Sequence, residues 1–134
     1  MKKYTIHLNE EQLRVIQMAL NATFRFRMGQ FGDMLNELTD INGDIFKGND
    51  VIFDDKVEKE IEGILKPLMG LEHNETIGIG KLSSIDQMVV MYDSIRYTLC
   101  INDVNKLNYW CREPIDFLGE SGMIEVKKVG EDNE

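Results

Sequence analysis

The sequence has few of the residues that metal centres and disulfide-rich folds require. Its 134 residues include two cysteines and two histidines. No C-x-x-C or H-x-x-x-H pair occurs, so the usual spacing of zinc ligands is absent. Two cysteines are too few for a disulfide scaffold, and Cys100 lies in an apolar helical stretch, so we expect a buried free thiol there. We predict no metal and no cofactor.

Long apolar runs and excess positive charge are also missing. The N-terminus lacks an apolar signal region and no run reaches membrane-spanning length, so we expect a cytoplasmic protein that contacts no membrane. The formal net charge is −9, with a pI near 4.7. Because nonspecific DNA binding depends on clustered Lys and Arg, we expect no direct contact with nucleic acid. The acidic surface serves solubility or mimics nucleic acid, and charge alone leaves both interpretations open.

The length fits one domain, which we place at 1–130, followed by a frayed tail at 131–134. Within that domain, hydrophobic periodicity predicts three helices. They span about 10–38, 54–65 and 83–102.

Local signals refine the first helix and add two strands. Asn9 can cap the helix, with Gln12 at the capping-box position, while Gly29 and Gly32 predict a kink or a break. Alternating apolar residues predict short strands at 4–8 and 122–129 that pair as neighbours. The predicted fold class is therefore an α-rich α+β fold of about three helices with short N- and C-terminal strands.

Two arginines occupy positions where apolar residues are expected. When the helices are wound at about 100° per residue, Arg27 falls on the apolar stripe of the first helix and Arg96 on that of the third. A guanidinium cannot lose its charge in a protein, so an arginine that faces a core must find an anion or reach water. The two stripes consist of Leu13, Ile16, Leu20, Phe24, Phe31, Leu35 and Leu38, and of Ile85, Met88, Val89, Tyr92 and Leu99.

Three interpretations of these arginines remain open. Each can form an internal ion pair, for example with Asp93, Asp86 or Asp33. Each can extend along the surface to reach water near a helix end. Alternatively, both line a pocket whose anion arrives with a ligand, since the planar guanidinium binds phosphate and carboxylate through two hydrogen bonds.

Neighbouring residues favour a pocket without proving one. Gly29 lets a ligand approach the backbone closely, although it equally allows close helix packing. Asn21 and Gln30 offer amide hydrogen bonds. Phe24 and Tyr92 carry rings that can stack on a base, although such rings also form ordinary cores.

Catalytic constellations are not evident. Glu58, Glu60 and Glu62 have the pattern of a solvated helix surface, and two isolated histidines give no nucleophile–base arrangement. The glycine-rich segment 78–81 lacks the spacing of a phosphate loop and fits a flexible turn better. We therefore expect a protein without catalytic residues, not an enzyme.

Three segments, at 4–13, 27–31 and 92–96, together resemble a family of small phage-encoded accessory proteins. The resemblance extends from the first strand to about Trp110. It implies a viral, host-manipulating role, and it implies that the positions matching the family's segments contribute to a binding site. Those positions are Arg27, Gly29, Gln30, Asp93 and Arg96.

Some small phage proteins of this type counter host immunity by capturing nucleotide signals from bacterial TIR (Thoeris) or cyclase defence systems. The resemblance therefore implies an anti-defence protein that sequesters a phosphate-bearing nucleotide in the host bacterial cytoplasm, such as an ADP-ribose derivative or a cyclic nucleotide. Arg27 and Arg96 would hold phosphates, with Asn21, Gln30 and Asp93 on ribose or base. We expect a homo-oligomer, because one small core leaves little room for a ligand. The alternative is an acidic antagonist of a host nuclease, polymerase or defence protein.

Overall fold

The described part of the chain contains four helices: α1 (Glu10–Met28), α2 (Phe31–Thr39), α3 (Asp55–Leu68) and α4 (Ser83–Ile101). The structure, a computed structural model, describes residues 2–39, 55–103, 111, 113–114 and 124–130. Over these ranges it contains no strand. The predicted tail at 131–134 lies outside the described residues.

The predicted α+β fold class is wrong, because the described part of the chain is helical. A strand needs a partner that receives its backbone hydrogen bonds and covers one face. The segment 4–8 has neither in the described residues, and Tyr4 and Ile6 are 84% and 76% exposed. The described part of the C-terminal segment lies beside α4 instead, where the Thr98 hydroxyl donates to the Val126 carbonyl at 2.9 Å.

The start of α1 follows the predicted capping box. The Gln12 N–H donates to the Asn9 side-chain oxygen at 2.8 Å, and the Asn9 N–H donates to the Gln12 side chain at 3.0 Å. These two bonds satisfy amides that have no partner within the helix. Glu10 then accepts a hydrogen bond from Arg14, one turn further along, at 2.7 Å.

The predicted break of the long first helix is confirmed at Gly29. This residue has φ +79°, the left-handed conformation that glycine adopts without the steric cost of a Cβ. The Gly29 N–H still bonds back to Phe26 at 3.1 Å, and the Gln30 N–H to Arg25 at 2.8 Å. The chain therefore turns after α1 and starts α2 at Phe31 with a new helical phase.

The core lies where the C-terminal half of α1 packs on α4. Phe24 and Met28 of α1 meet Ile85 of α4, which is fully buried. Phe31 of α2 is also fully buried. Removing such a side chain from water contributes about 1.5–3 kcal/mol each. Partly buried residues that complete the cluster are Ile77, Met88, Val89 and Tyr92.

The segment after α3 joins α3 to the end of α1. Lys66, in the last turn of α3, donates to the His73 carbonyl at 2.6 Å. Further on, the Ile77 N–H donates to the Met28 carbonyl at 2.8 Å. In the part of the chain that the structure describes, no helix is long and apolar enough to cross a membrane.

The expectation of a free, buried Cys100 thiol is wrong. Cys100 forms a disulfide with Cys111, and the two Cα atoms are 5.5 Å apart. The bridge links the last turn of α4 to a residue 11 positions later. Its formation depends on the chain returning towards α4 after Ile101, and no local pattern in the sequence signals that return.

Candidate functional site

Arg25 is the arginine of α1 that faces the protein. Its Nε donates to the Asn21 side-chain oxygen at 3.3 Å, and its Nη1 donates to the Gln30 side-chain oxygen. The guanidinium carbon lies 5.1 Å from the centre of the Phe24 ring, within cation–π range. Asp33 is 3.8 Å from Nη1, and its side chain is 62% exposed. Arg25 is thus held mainly by neutral groups.

Arg27 is exposed, so the prediction that it faces the core is wrong. The helical phase had been calculated as if one continuous helix ran through Gly29, so that Phe31 was counted in the apolar stripe together with the residues of α1. Because α1 ends at Met28, only α1's own buried residues define its phase. Relative to Phe24, Asn21 and Met28 lie about 60° and 40° to one side, whereas Arg27 lies about 60° to the other. Its role in ligand binding remains only a prediction.

Arg96 is half-buried on α4, as its helical phase predicts. Its Nε is 3.4 Å from Asp93 Oδ1, one turn earlier on the same helix. The two side chains are 19% and 21% exposed. Of the three interpretations considered for this residue, an internal ion pair is therefore present, in a position that water still reaches.

Tyr92 brings the two arginines into one environment. Its ring meets Phe24 edge to face, with centroids 5.5 Å apart and planes at 68°. Burial raises the pKa of Tyr92 above its ordinary value of 10.0, and the Glu37 carboxylate raises it further. The charges of Arg96 and Arg25 both act on the same hydroxyl in the opposite direction. Both guanidinium groups therefore lie within electrostatic reach of Tyr92.

We refer to these residues as the arginine–tyrosine cluster. Its members share contacts between the C-terminal half of α1, the start of α2 and the middle of α4. They are Asn21, Phe24, Arg25, Gln30, Asp33, Tyr92, Asp93 and Arg96.

A surface cleft of about 310 Å³ adjoins this cluster. Gln30 and Asp33, which contact Arg25, also line the cleft. Its walls come from the α1–α2 turn, α2, α3 and the segment after α3. The remaining lining residues are Gly29, Phe31, Gly32, Asn36, Glu58, Glu62, Lys66 and Thr76.

The α3 carboxylates are not simply the solvated surface that their pattern suggests. Glu62 is 16% exposed and lies 3.8 Å from His73 Nδ1. The Glu58 carboxylate rests so close to Gly32 that a Cβ there would lie 2.5 Å from its Oε1. Glu60, between them, is exposed. Glu58 and Glu62 therefore belong to the cleft and Glu60 does not.

The structure brings most of the sequence-predicted site residues together. Gln30 and Asp93 join the cluster through Arg25 and Arg96, whereas Gly29 lines the cleft and Arg27 lies outside both. The other members predicted from the sequence are Asn21, Phe24, Tyr92 and Arg96.

Sequence reasoning missed Arg25 and the buried Lys66. Arg25 could have been found from its spacing to Asn21, because residues four apart on a helix are neighbours. Lys66, 5% exposed, carries no comparable local signal, because the segment after α3 buries it.

Two further kinds of binding site were considered: a phosphate loop at 78–81, which the sequence does not favour, and a metal site. In the glycine-rich segment 78–81, the Gly80 N–H donates to the buried Asp86 carboxylate at 2.9 Å. This amide is therefore occupied within the protein, as in a closed turn. Among the described residues, no group of three or more Cys, His, Asp or Glu side chains could hold a metal ion.

Comparison with known proteins gives no match to a family model, a curated protein or a solved structure.

Proposed function

We propose that the protein binds a phosphate-bearing nucleotide at the arginine–tyrosine cluster and sequesters it without catalysis. The observation that carries this proposal is that two partly buried arginines flank Tyr92: Arg25 lies over the Phe24 ring that Tyr92 contacts, and Arg96 follows Tyr92 by four residues on α4. Each of these arginines offers several N–H donors to an anion in a partly desolvated place, where charge-assisted hydrogen bonds are strong.

Arg25 supports the proposal because its present partners are weak competitors for its charge. Two of them, Asn21 and Gln30, are neutral amides. Within the described residues, its carboxylate partner is Asp33, at 3.8 Å and largely exposed to water. An exposed pair of this kind contributes about 0–1 kcal/mol, so a phosphate can replace it at little cost.

The remaining residues supply the other contacts of a nucleotide. Tyr92, which is partly buried, presents a ring on which a base can stack. Phe24 is 3% exposed, so it packs against the Tyr92 ring and does not itself stack on a ligand. Asn21, Gln30 and Asp93 carry oxygen or nitrogen atoms for ribose hydroxyls or base edges. In this proposal Arg25 takes the role that the sequence pattern gave to Arg27, and Arg96 keeps its own.

The biological role that we propose is anti-defence. A protein that binds a nucleotide immune signal in the host bacterial cytoplasm would act by lowering its free concentration. The resemblance of segments 4–13, 27–31 and 92–96 to small phage accessory proteins supports this role. A homo-oligomer would cover more of a bound ligand than a single shallow cleft does.

Isothermal titration tests the proposal. Purified protein is titrated with ADP-ribose, cyclic ADP-ribose and cyclic dinucleotides, and an extract of the protein as purified is analysed for bound nucleotides. We expect heat with at least one of these compounds and loss of that heat when inorganic phosphate is present in excess. No heat with any of them, together with a nucleotide-free extract, would rule out the proposal.

The rival function, an acidic antagonist of a host protein, rests on the net charge of −9. It predicts that charge reversal at Glu58, Glu60 and Glu62 abolishes activity. It has less support, because Glu62 is 16% exposed and Glu58 packs against Gly32. Of the three, only the exposed Glu60 is fully available to a protein partner.

A further inference from the structure

The cleft is acidic, and it shares two side chains with the arginine–tyrosine cluster. Gln30 accepts a hydrogen bond from Arg25 and lines the cleft, and Asp33 lies 3.8 Å from Arg25 and lines it too. A ligand with its phosphate at Arg25 therefore has its next atoms at the entrance of the cleft.

Three carboxylates make the cleft unfavourable for a second phosphate. Asp33, Glu58 and Glu62 all line it. Ionised carboxylates only accept hydrogen bonds, and they repel anions. Sugar hydroxyls suit them, because a hydroxyl donates to a carboxylate in a strong charge-assisted bond. Carboxylates bind the ribose 2′-hydroxyl of dinucleotides in this way in other folds.

Lys66 adds a donor to the same place. Its side chain is 5% exposed, and among the described residues its Nζ has one hydrogen bond, to the His73 carbonyl. An ammonium group has three N–H donors. With Lys66 as donor and the carboxylates as acceptors, the lining matches the two-way hydrogen bonding of a vicinal diol, whose hydroxyls both donate and accept.

We propose that the cleft binds the ribose of the nucleotide through its 2′- and 3′-hydroxyls and so selects ribonucleotides over deoxyribonucleotides. This inference rests on the proposed function, since the phosphate at Arg25 and Arg96 directs the sugar to the cleft. The volume of about 310 Å³ is at the lower end of ligand sites and accommodates a pentose. The three carboxylates outnumber the single Lys66 ammonium in the lining, so a phosphate on the 2′-oxygen is disfavoured.

The test compares adenosine 5′-monophosphate with its 2′-deoxy form by isothermal titration. Loss of one hydroxyl that bonds to a charged group should weaken binding about 10- to 100-fold. Equal affinities would overturn the ribose assignment and leave the phosphate site standing. Binding of neither compound would overturn the ribose assignment, whereas the phosphate site is overturned only if ADP-ribose, cyclic ADP-ribose and the cyclic dinucleotides also give no heat.

Variants on α3 separate a direct contact from a structural effect. Glu62→Gln should weaken the ribonucleotide about tenfold and leave the deoxyribonucleotide unchanged if the contact is with the 2′-hydroxyl. Glu60→Gln, on the exposed side of the same helix, is the matched control and should change neither affinity. Equal weakening of both nucleotides by Glu62→Gln would contradict the proposal.

Discussion

Arg25 and Arg27 are identical residues two positions apart on α1, and the structure gives them opposite surroundings. Arg25 contacts Asn21, Gln30, Asp33 and Phe24, whereas Arg27 is exposed. Alanine substitution at each position therefore provides a matched pair. Arginine and alanine are both good helix formers, so propensity contributes little to the difference.

The expected loss for Arg25→Ala follows from its contacts. The hydrogen bonds to Asn21 and Gln30 contribute about 0.5–1.5 kcal/mol each. The pair with the exposed Asp33 adds a few tenths, and the Phe24 ring about 0.5 kcal/mol. Because the Arg25 side chain is 33% exposed, we take the lower part of the range, about 2 kcal/mol. Arg27→Ala should stay within about 0.5 kcal/mol.

Urea unfolding followed by far-UV circular dichroism measures both variants. The midpoint should fall clearly for Arg25→Ala and remain near the parent value for Arg27→Ala, with unchanged slopes. Equal losses, or a larger loss at Arg27, would refute the assignment of Arg25 to the inner face.

Three further predictions concern the turn, the disulfide and the tyrosine. Gly29→Ala should lower the free energy of unfolding in urea by about 1–2 kcal/mol, because φ is +79° and the new Cβ would lie 3.0 Å from Leu71. Gly70 has φ +71° and open space around it, so Gly70→Ala measures the backbone part of this loss alone. Cys100→Ser should lower the free energy of unfolding by about 3 kcal/mol, by the chain-entropy model for a separation of 11 residues. Reductant should lower the Tm of the parent but not that of the variant. A parent Tm that does not respond to reductant would contradict the disulfide. Alkaline absorbance titration should show that Tyr92 ionises above its ordinary pKa of 10.0. Because folding favours the neutral phenol of Tyr92, its contribution to stability is complete below pH 10.0 and is lost as pH rises through the raised pKa. Tyr92→Phe should lack the part of the absorbance titration that occurs above pH 10.0. If that part persists in the variant, it does not come from Tyr92.

The start and the end of α1 were predictable from the sequence because their causes are local. Asn9 and Gln12 form the capping box within four residues, and Gly29 ends α1 through its own backbone conformation. The third predicted helix likewise begins at Ser83, although no side chain caps it. Such signals depend on near neighbours and need no knowledge of the fold.

The strands and the thiol were mispredicted because their causes are distant. Alternation at 4–8 is compatible with a strand, but a strand also requires a partner, and none is present in the described residues. Pairing of Cys100 with Cys111 depends on the path of the chain after α4. Neither requirement is visible in a local pattern.

The site was partly predictable, since helical phase placed Phe24, Tyr92 and Arg96 correctly on inner faces. The error at Arg27 came from continuing one phase across the Gly29 break. The burial of Lys66 and Glu62 could not be predicted from the sequence, because it arises when the segment after α3 folds back over them.

The most direct test of the central claim measures ADP-ribose binding by isothermal titration in three variants: Arg25→Ala, Arg96→Ala and Arg27→Ala. If Arg25 and Arg96 hold the phosphate, the first two should weaken binding about 10-fold or more, because each removes charge-assisted hydrogen bonds. Arg27→Ala should bind like the parent. Loss of affinity in Arg27→Ala with retention in Arg25→Ala, both variants being folded, would contradict the assignment of the site.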